Sequence, residues 1–285
     1  MKETALSSRE VHVSITPYNA NKAVSALLAD AAELSRQQLK QAMHKGAVWL
    51  THARHTRRLR RDKAKLAAGD ELHLYYNPEL LAQEPPPARL IADEGDYSVW
   101  DKPRGMLSQG SKWSDHTTIT RWAELQLQPQ RPVFLVHRLD RHAHGLILLA
   151  HSKGMARQLA ALFEQREIDK RYRVTVHGKF PEGDQPMRLD QPLDDKPAVS
   201  LAKRLRWDAE ADQSVLEVCI ETGRKHQIRR HLALAGFPVL GDRLHGPDKD
   251  GDLQLAAFSL AFNNPATGEP KSYTLEPQAK AERLS

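Results

Sequence analysis

Three consecutive prolines, at positions 85–87, constrain the fold of this chain more than any other feature of its sequence. Proline lacks a backbone N–H and fixes φ, so such a run neither continues a helix nor lies in a central strand, and it holds the chain extended. The 285 residues suffice for two domains of ordinary size. We therefore predict a small domain over residues 12–77, a Pro-rich linker over 78–90 and a larger domain over 91–285.

The first region has the pattern of a small α/β domain. Ser35 and Gln38 have the spacing of a capping box, which predicts the start of a helix, and Gly46 suits the left-handed position that ends one. The sequence GDELHLYY, residues 69–76, predicts a turn followed by a short strand. One face of the predicted helix is apolar and should point inward; its residues are Leu39, Ala42 and Met43.

Positive charge is concentrated in this first region. Residues 51–65, THARHTRRLRRDKAK, contain seven Arg or Lys residues against one Asp, and Arg36, Lys40 and His44 recur every four residues on the preceding helix. A solvated charged face would explain one basic helix, but the two segments together favour a surface that binds phosphates. The predicted phosphate contacts are Arg36, Lys40, Arg57, Arg58, Arg60 and Arg61.

Beyond the linker, strands interleave irregularly with few helices. This order predicts an α+β fold with a mixed, mostly antiparallel sheet. Residues 152–165 predict a helix capped by Ser152, and residues 170–178 alternate as a strand with Tyr172 on its apolar face. Residues 215–242 predict a strand, a turn, a helix and a Gly-Phe-Pro exit.

Several function classes lack the residues that they need. The sequence has no Walker loop, no Gly-x-Gly-x-x-Gly after a strand and no Gly-x-Ser-x-Gly elbow. Two pairs among the 14 histidines, His142 with His144 and His226 with His231, lack the helical spacing of a zinc motif. We therefore expect no cofactor and no metal, with a metal-dependent RNA hydrolase as an open alternative.

The cellular setting follows from what the sequence lacks. No apolar run approaches the roughly 18 residues of a membrane span, so no membrane partner is expected. The first ten residues, MKETALSSRE, lack the apolar core of a signal peptide, and the lone Cys219 agrees with a reducing compartment. The prediction is a cytoplasmic protein, and we expect a monomer.

One carboxylate stands out in HRLDRHAHGLILLA, residues 137–150, where a charged loop runs into an apolar strand. Asp140 is the single acid in this loop; its basic neighbours are His137, Arg138, Arg141, His142 and His144. Neighbouring cations favour the ionised form of a carboxylate, which suits a nucleophile or a base. From the residues alone, a buried ion pair that holds the loop explains Asp140 equally well.

Four ordered motifs carry a family resemblance. HRLDRHAHGLILLA resembles the signature of RNA pseudouridine synthases of the RluA type, and DYSVWDKPRGMLSQG, FEQREIDKRYRVTVHG and TGRKHQIRRHLALAGFPVLGD resemble other motifs of that family. LQLAAFSLAFNNPATGEP resembles its closing strand and turn, so the resemblance spans residues 91 to about 275. Residues 20–76 resemble, less specifically, the alpha-L RNA-binding domain found in ribosomal proteins. The phosphate-binding surface would then bind RNA.

The resemblance implies isomerisation of uridine in RNA to pseudouridine, with Asp140 as the catalytic carboxylate. Arg229 would pair with Asp140, and Tyr172 would stack on the target base. Ile228 would form an apolar wall of the pocket, and Arg138 would fill the gap left by the flipped nucleotide. Basic positions near the pocket, with an expected RNA contact, are Lys102 and Arg224. Read from the residues alone, Tyr172 is a core residue and Arg229 lies on the surface of an amphipathic helix.

This chain departs from the family pattern at two places. Ala143 and His144 stand where Thr-Ser is usual, and His245 stands where the third motif usually has tyrosine. Either change could alter substrate choice. We expect a structured RNA substrate, ribosomal in preference to transfer RNA. A non-catalytic RNA-binding or ribosome-assembly factor on the same scaffold is the alternative.

Overall fold

The computed structural model describes residues 8–276. Its chain divides into two compact units. Unit 1 comprises residues 8–85 and 109–122, and unit 2 comprises 86–108 and 123–276. No helix within residues 8–276 is long and apolar enough to cross a membrane.

Unit 1 is built on a four-stranded antiparallel sheet with the strand order β1-β4-β2-β3. Its elements are β1 (Arg9–Ser14), α1 (Val24–Ala32), α2 (Arg36–His44), β2 (Val48–His52), β3 (His55–Arg58), β4 (Glu71–Tyr76) and α3 (Pro78–Ala82). The predicted helix and strand are confirmed as α2 and β4. The β2–β3 hairpin, which contains part of the basic run, was not predicted from the sequence.

The caps of α2 form as the sequence predicts. The Ser35 side chain accepts a hydrogen bond from the Gln38 backbone N–H, and the Gln38 side chain accepts one from the Ser35 backbone N–H. Gly46 follows the helix with φ +83°, the left-handed conformation. The inward residues are fully buried and belong to the core of unit 1; they are Leu39, Ala42 and Met43.

The predicted linker contains a short helix that the sequence reading missed. Asn77 caps α3, because its side chain accepts a hydrogen bond from the Leu80 backbone N–H, and Pro78 occupies the first helical position. Proline is well tolerated there, since the first N–H of a helix has no partner. The helix ends at Ala82, before the three prolines, so their effect on the chain is as predicted.

Unit 2 contains a ten-stranded sheet with the order β10-β11-β12-β9-β13-β8-β6-β5, to which β14 and β7 add at β13 and β8. Every pairing is antiparallel except that of β13 with β8, which confirms the predicted α+β class. Its elements are β5 (Arg89–Asp93), β6 (Tyr97–Lys102), α4 (Ile119–Gln126), β7 (Phe134–Leu135), β8 (His144–Ala150), α5 (Lys153–Gln165), β9 (Asp169–His177), β10 (Met187–Leu189), β11 (Ser200–Asp208), β12 (Gln213–Ile220), α6 (Gln227–Leu234), β13 (Leu255–Asn263) and β14 (Pro270–Thr274). Helix α4 begins in the segment assigned to unit 1 and ends in unit 2.

Strand β8 is an interior strand of the unit 2 sheet and follows the Asp140 loop directly. Its residues from Gly145 to Ala150 are all buried, which explains their apolar run. Gly145 pairs with Ala257 of β13 at φ +111°, and a Cβ there would lie 2.2 Å from the Ala257 carbonyl oxygen. Only glycine fits this position. The strand thereby fixes where the charged loop emerges.

Candidate active site

A cavity of about 680 Å³ opens in unit 2 beside the Asp140 loop. Its walls come from this loop, β9, the end of β12 and the start of α6. Six residues predicted to form the site line it; they are Arg138, Asp140, Tyr172, Arg224, Ile228 and Arg229. The volume lies in the range of about 300–1,000 Å³ that is typical of pockets for small ligands. The four segments are far apart in sequence, so the fold is what brings them together.

The loop that carries Asp140 is tied to the loop after β6. The Ser108 hydroxyl donates to the Leu139 carbonyl at 2.7 Å and accepts from the Leu139 backbone N–H at 3.1 Å. The Gly105 backbone N–H donates to the Arg141 carbonyl at 2.8 Å. These bonds bracket Asp140 on both sides. The segment DKPRGMLS, residues 101–108, thus has a structural role, because it holds the backbone on both sides of Asp140.

Lys102 belongs to this scaffold, and the expected RNA contact is not supported by its position. Its side chain has no exposed surface, and its Nζ donates to four backbone carbonyls at 2.7–3.4 Å, two of them from the Asp140 loop, at Arg141 and Ala143. Burial, opposed by Asp140 and Asp101, lowers the pKa of Lys102 to about 7. A fully buried amine cannot contact RNA. Lys102 instead holds the Asp140 loop through the carbonyls of Arg141 and Ala143.

Arg229 joins two carboxylates. Its Nε and Nη2 donate to the two oxygens of Asp242 at 2.8 and 2.6 Å, and its Nη1 lies 3.4 Å from Oδ2 of Asp140. Burial alone would lower the pKa of Arg229, but the bonds to Asp242 and the charge of Asp140 raise it. The guanidinium is therefore permanently charged. It is fixed from behind by Asp242 and faces Asp140 at the cavity.

Asp242 is the residue that the sequence reading missed. It is 1% exposed, and its Oδ1 also accepts the backbone N–H groups of Leu244 and His245, both at 3.0 Å. Burial alone would raise the pKa of Asp242, but Arg229 and these two N–H groups lower it. The signal was present, because Asp242 ends the third motif, TGRKHQIRRHLALAGFPVLGD. Its preceding residue, Gly241, has φ +75° and no room for a Cβ, so the turn that presents Asp242 requires glycine.

Tyr172 and Ile228 form buried walls of the cavity. Tyr172 is 6% exposed on β9 and Ile228 is 5% exposed on α6. Burial, and then the nearby Asp140 carboxylate, raise the pKa of the Tyr172 phenol, so it stays protonated at neutral pH. The ring of Tyr172 is thus part of the core and also part of the cavity wall, and its stacking on the target base stays a prediction.

Arg138 and Arg224 are exposed at the same cavity. The Arg224 Nε donates to the Pro197 carbonyl at 3.0 Å, which fixes part of its side chain. Arg138 is adjacent in sequence to the buried Leu139, whose backbone is held by Ser108. Its guanidinium therefore projects from an anchored backbone into solvent.

Two histidines continue the site behind Asp140. The His226 Nε2 lies 3.9 Å from Asp140 Oδ1, and its Nδ1 lies 2.9 Å from Nε2 of His245. Burial is the largest effect on both, and it lowers the pKa of each below 6.5. His245 is one of the two departures from the family pattern. The other is Ala143 with His144: Ala143 lines the cavity, whereas His144 does not, and burial lowers the pKa of His144 to about 4.

Lys170 is a further cation of the cavity that the sequence reading left without a role. Its Nζ lies 4.7 Å from the ring centre of Phe163. Burial lowers the pKa of Lys170 to about 8. Within residues 8–276 its amine has no hydrogen-bond or ion-pair partner. It stands in the Lys-x-Tyr segment, two residues before Tyr172, which was the available signal.

The predicted RNA-contact residues of unit 1 divide into two classes. Arg57 and Arg61 are exposed, as are Arg36 and Lys40 on α2. The Arg36 Nε donates to the Ser25 hydroxyl at 3.2 Å, and the Lys40 Nζ lies 3.4 Å from Asp62 Oδ2. All four cations still face solvent.

Arg58 and Arg60, in contrast, are committed within unit 1. Both bind Oδ2 of Asp115, at 3.0 Å from Arg58 Nε and 2.5 Å from Arg60 Nη2. Arg58 also donates to the carbonyls of Gly46 and Ser111, and Arg60 to the carbonyl of His44. Their expected phosphate contacts are therefore not supported. The sequence shows how many arginines are close together, but it does not show which of them have partners in the fold.

Sequence comparisons identify the family. A profile of the family described as RNA pseudouridylate synthase matches residues 96–234. The chain is 34% identical to tRNA pseudouridine synthase C of Yersinia pestis over 65% of this chain and 84% of that protein. It is 30% identical to an uncharacterized RNA pseudouridine synthase of Chloroflexus aurantiacus over 94% of this chain and 90% of that protein.

Solved structures agree in fold. The human protein RNA pseudouridylate synthase domain containing 4 matches 69% of this chain and 91% of its own, with a TM-score of 0.54 and 22% identity. Human RNA pseudouridylate synthase domain containing 1 matches 68% and 86%, with a TM-score of 0.57 and 19% identity. At this identity the likeness concerns the fold alone.

Proposed function

Because this chain belongs to the RNA pseudouridylate synthase family, we propose that Asp140 is the essential carboxylate with which it isomerises specific uridines of a structured RNA. The chain is an RNA pseudouridine synthase and thus an isomerase. The observation that carries the proposal is the position of Asp140, which lines the cavity with 23% of its side chain exposed and has Arg229 at 3.4 Å.

The surroundings of Asp140 suit a carboxylate that takes part in the reaction. The Arg229 guanidinium stabilises negative charge on its oxygens, and its own charge is secured by Asp242. An ionised carboxylate can add to the sugar or the base, or accept a proton, while the N1–C1′ bond breaks and the C5–C1′ bond forms. The same residue can therefore serve the reaction without a cofactor.

The cavity walls suit a flipped pyrimidine. A uridine within a stem cannot be turned over, so the enzyme must unstack it at a cost of a few kcal/mol. Tyr172 and Ile228 offer an aromatic and an aliphatic surface for its two faces. Arg138, exposed on its anchored backbone, would fill the gap in the RNA, and Arg224 and Lys170 would add positive charge for phosphate oxygens.

We propose ribosomal RNA as the substrate class. The support is unit 1, whose exposed Arg36, Lys40, Arg57 and Arg61 give a second phosphate-binding surface suited to a large folded target. A specific observation favours transfer RNA as the second candidate. The Yersinia pestis relative is named tRNA pseudouridine synthase C, although 35% of this chain lies outside that match.

Tritium release from uridine C5 tests the reaction and the role of Asp140 together. Wild-type protein should release label from its RNA, and Asp140→Asn should not, while binding the same RNA with unchanged affinity. The control is Glu167→Gln, which alters another carboxylate of the same cavity. Release by Asp140→Asn at the wild-type rate would refute the role of Asp140.

The substrate class is tested by mapping pseudouridine in total RNA from cells with and without this chain. We expect the lost sites to lie in ribosomal RNA. Sites lost from transfer RNA alone would overturn the ribosomal assignment and establish the second candidate, without affecting the proposed role of Asp140.

A further inference from the structure

Three potential metal ligands converge on the open face of the unit 1 sheet. His12 of β1 lies directly opposite His73 of β4, and Glu71 precedes His73 by two residues on the same strand. Side chains two apart on a strand point to the same face, so all three share one surface. One ligand atom from each lies within 4.8 Å of the other two. Within residues 8–276 this is the one group of three or more His, Cys, Asp or Glu side chains with that spacing.

The neighbours of His73 hold its ring in place. Its Nε2 lies 2.7 Å from the Thr51 hydroxyl, and its ring stacks on Tyr75 with an interplanar angle of 13°. The His12 Nδ1 lies 2.7 Å from the His73 Nδ1. In such a pair one nitrogen must donate and the other accept, so at least one lone pair already points into the cluster. A hydrogen bond at one ring nitrogen fixes the orientation of the other, and histidine ligands are held in this way.

We propose that His12, Glu71 and His73 bind a divalent transition-metal ion of the zinc class. Two imidazoles and one carboxylate form a donor set that Zn²⁺ accepts, and such three-residue sites leave a fourth position open. Ca²⁺ and Mg²⁺ prefer oxygen ligands only, so this donor set does not suit them. The exposure of His12 and Glu71 leaves room for water, or for another ligand, at the fourth position.

The ion would fasten β1 to the rest of unit 1. Strand β1 is an edge strand that pairs only with β4, and two of the three ligands lie on β4. Binding to the folded form alone stabilises that form by mass action. The inference is independent of the reaction in unit 2, since none of its residues lines the cavity there.

The test uses the full chain with Zn²⁺ or Co²⁺ as the only probe. Titration calorimetry with Zn²⁺ should give one ion per chain at this site, and Co²⁺ should give the visible absorption of a four-coordinate N,O site. His12→Ala and Glu71→Gln should each raise the apparent Kd at least about tenfold. The matched control is His55→Ala, an exposed histidine of β3 outside the cluster, which should leave binding unchanged.

Two results would overturn the proposal. One is binding that is equal in wild type, His12→Ala and His55→Ala, which would place the ion at other histidines. The other is no binding to the wild-type chain, which would leave the cluster as a hydrogen-bonded histidine pair only. Circular dichroism of each variant without metal verifies the fold, and His12 is exposed, so its replacement should not disturb it.

Discussion

The two units contain similar clusters of arginine and aspartate with different consequences. In unit 1, Arg58 binds Asp115 at 3.0 Å, and its two Nη groups donate to backbone carbonyls. In unit 2, Arg229 binds Asp242 through two bonds and turns its remaining Nη1 to Asp140. In the first cluster every donor group of the arginine is bonded within unit 1. The second ends in a carboxylate that is open to a cavity.

The difference shows what converts an ion pair into a candidate active site. Both arginines are held by a rear carboxylate and both are largely buried, at 17% and 8% exposure of their side chains. What distinguishes the unit 2 cluster is a second carboxylate that lies on a scaffold of its own, tied by Ser108 and Lys102.

The largest effect should come from exchanging the two arginines for glutamine. Arg229→Gln leaves Asp242 buried without its ion-pair partner and removes the guanidinium that faces Asp140, so we expect kcat to fall about 10²–10³-fold. Arg58→Gln removes charged hydrogen bonds only within unit 1 and should cost about 1.5–3 kcal/mol of stability. Tritium release at saturating RNA and thermal melting measure the two quantities. Equal losses of kcat in both variants would mean that the unit 2 cluster has no special role in catalysis.

The next largest effect concerns the rear carboxylate. In Asp242→Asn an NH2 group replaces one carboxylate oxygen. This group is a donor and cannot accept from Arg229, so the guanidinium loses one hydrogen bond to a charged acceptor, worth about 1.5–3 kcal/mol. If that energy is lost in the transition state, kcat falls roughly 10–150-fold, while RNA affinity is unchanged. Asp194→Asn, at an exposed pair with Arg230, is the control and should change neither. A normal kcat in Asp242→Asn would show that Asp140 alone orients Arg229.

A smaller effect separates the exposed arginines of unit 1 from the committed ones. Arg57→Gln with Arg61→Gln should weaken RNA binding and reduce the salt slope of log K by about 1.4, or 0.7 for each lost phosphate. Thermal stability should stay unchanged, because both side chains are exposed. Arg157→Gln with Arg206→Gln removes the same charge from exposed positions of unit 2. If this control lowers the slope equally, net charge and not the basic run determines RNA binding.

The fold was predictable where the local pattern decides it. The capping box at Ser35 and the alternation around Tyr172 depend on neighbours in sequence, and both elements formed as predicted. Helix α3 was not predicted, because the three prolines that follow it indicated an extended linker. Asn77 and Pro78 are nevertheless a regular start of a helix. The register of β8 against β13 depends on Gly145 and Ala257, more than a hundred residues apart, and no local pattern contains it.

The site was predictable to the extent that a motif names a residue. The resemblance pointed to Asp140, Tyr172 and Arg229, and the structure brings these together at one cavity. It could not show that Lys102 is buried, because a lysine beside a loop looks the same in sequence whether it faces RNA or four carbonyls. Nor could it show that Arg58 is committed, since its partner Asp115 lies in a distant segment.

The smallest effect tests the residue at which this chain departs from its family. His245→Phe keeps an aromatic ring but removes the bond to His226, worth about 0.5–1.5 kcal/mol. We expect kcat/KM to fall about 2–10-fold, because His226 then loses the partner that orients its Nε2 towards Asp140. The control is His142→Phe, an exposed histidine of the Asp140 loop that has no part in this bond and should leave kcat/KM unchanged.

The pH dependence distinguishes orientation from simple packing. Burial lowers the pKa of both His226 and His245 below 6.5, so at pH 7 both rings are neutral and one can accept from the other. As the pH falls through those lowered values, the first proton still leaves one neutral ring that can accept, and protonation of both rings then puts hydrogens on both facing nitrogens and breaks the bond. Wild-type kcat/KM should therefore decline on the acid side of pH 6.5 more steeply than that of His245→Phe, which has no such bond to lose. Parallel acid limbs in the two proteins would assign His245 to packing alone.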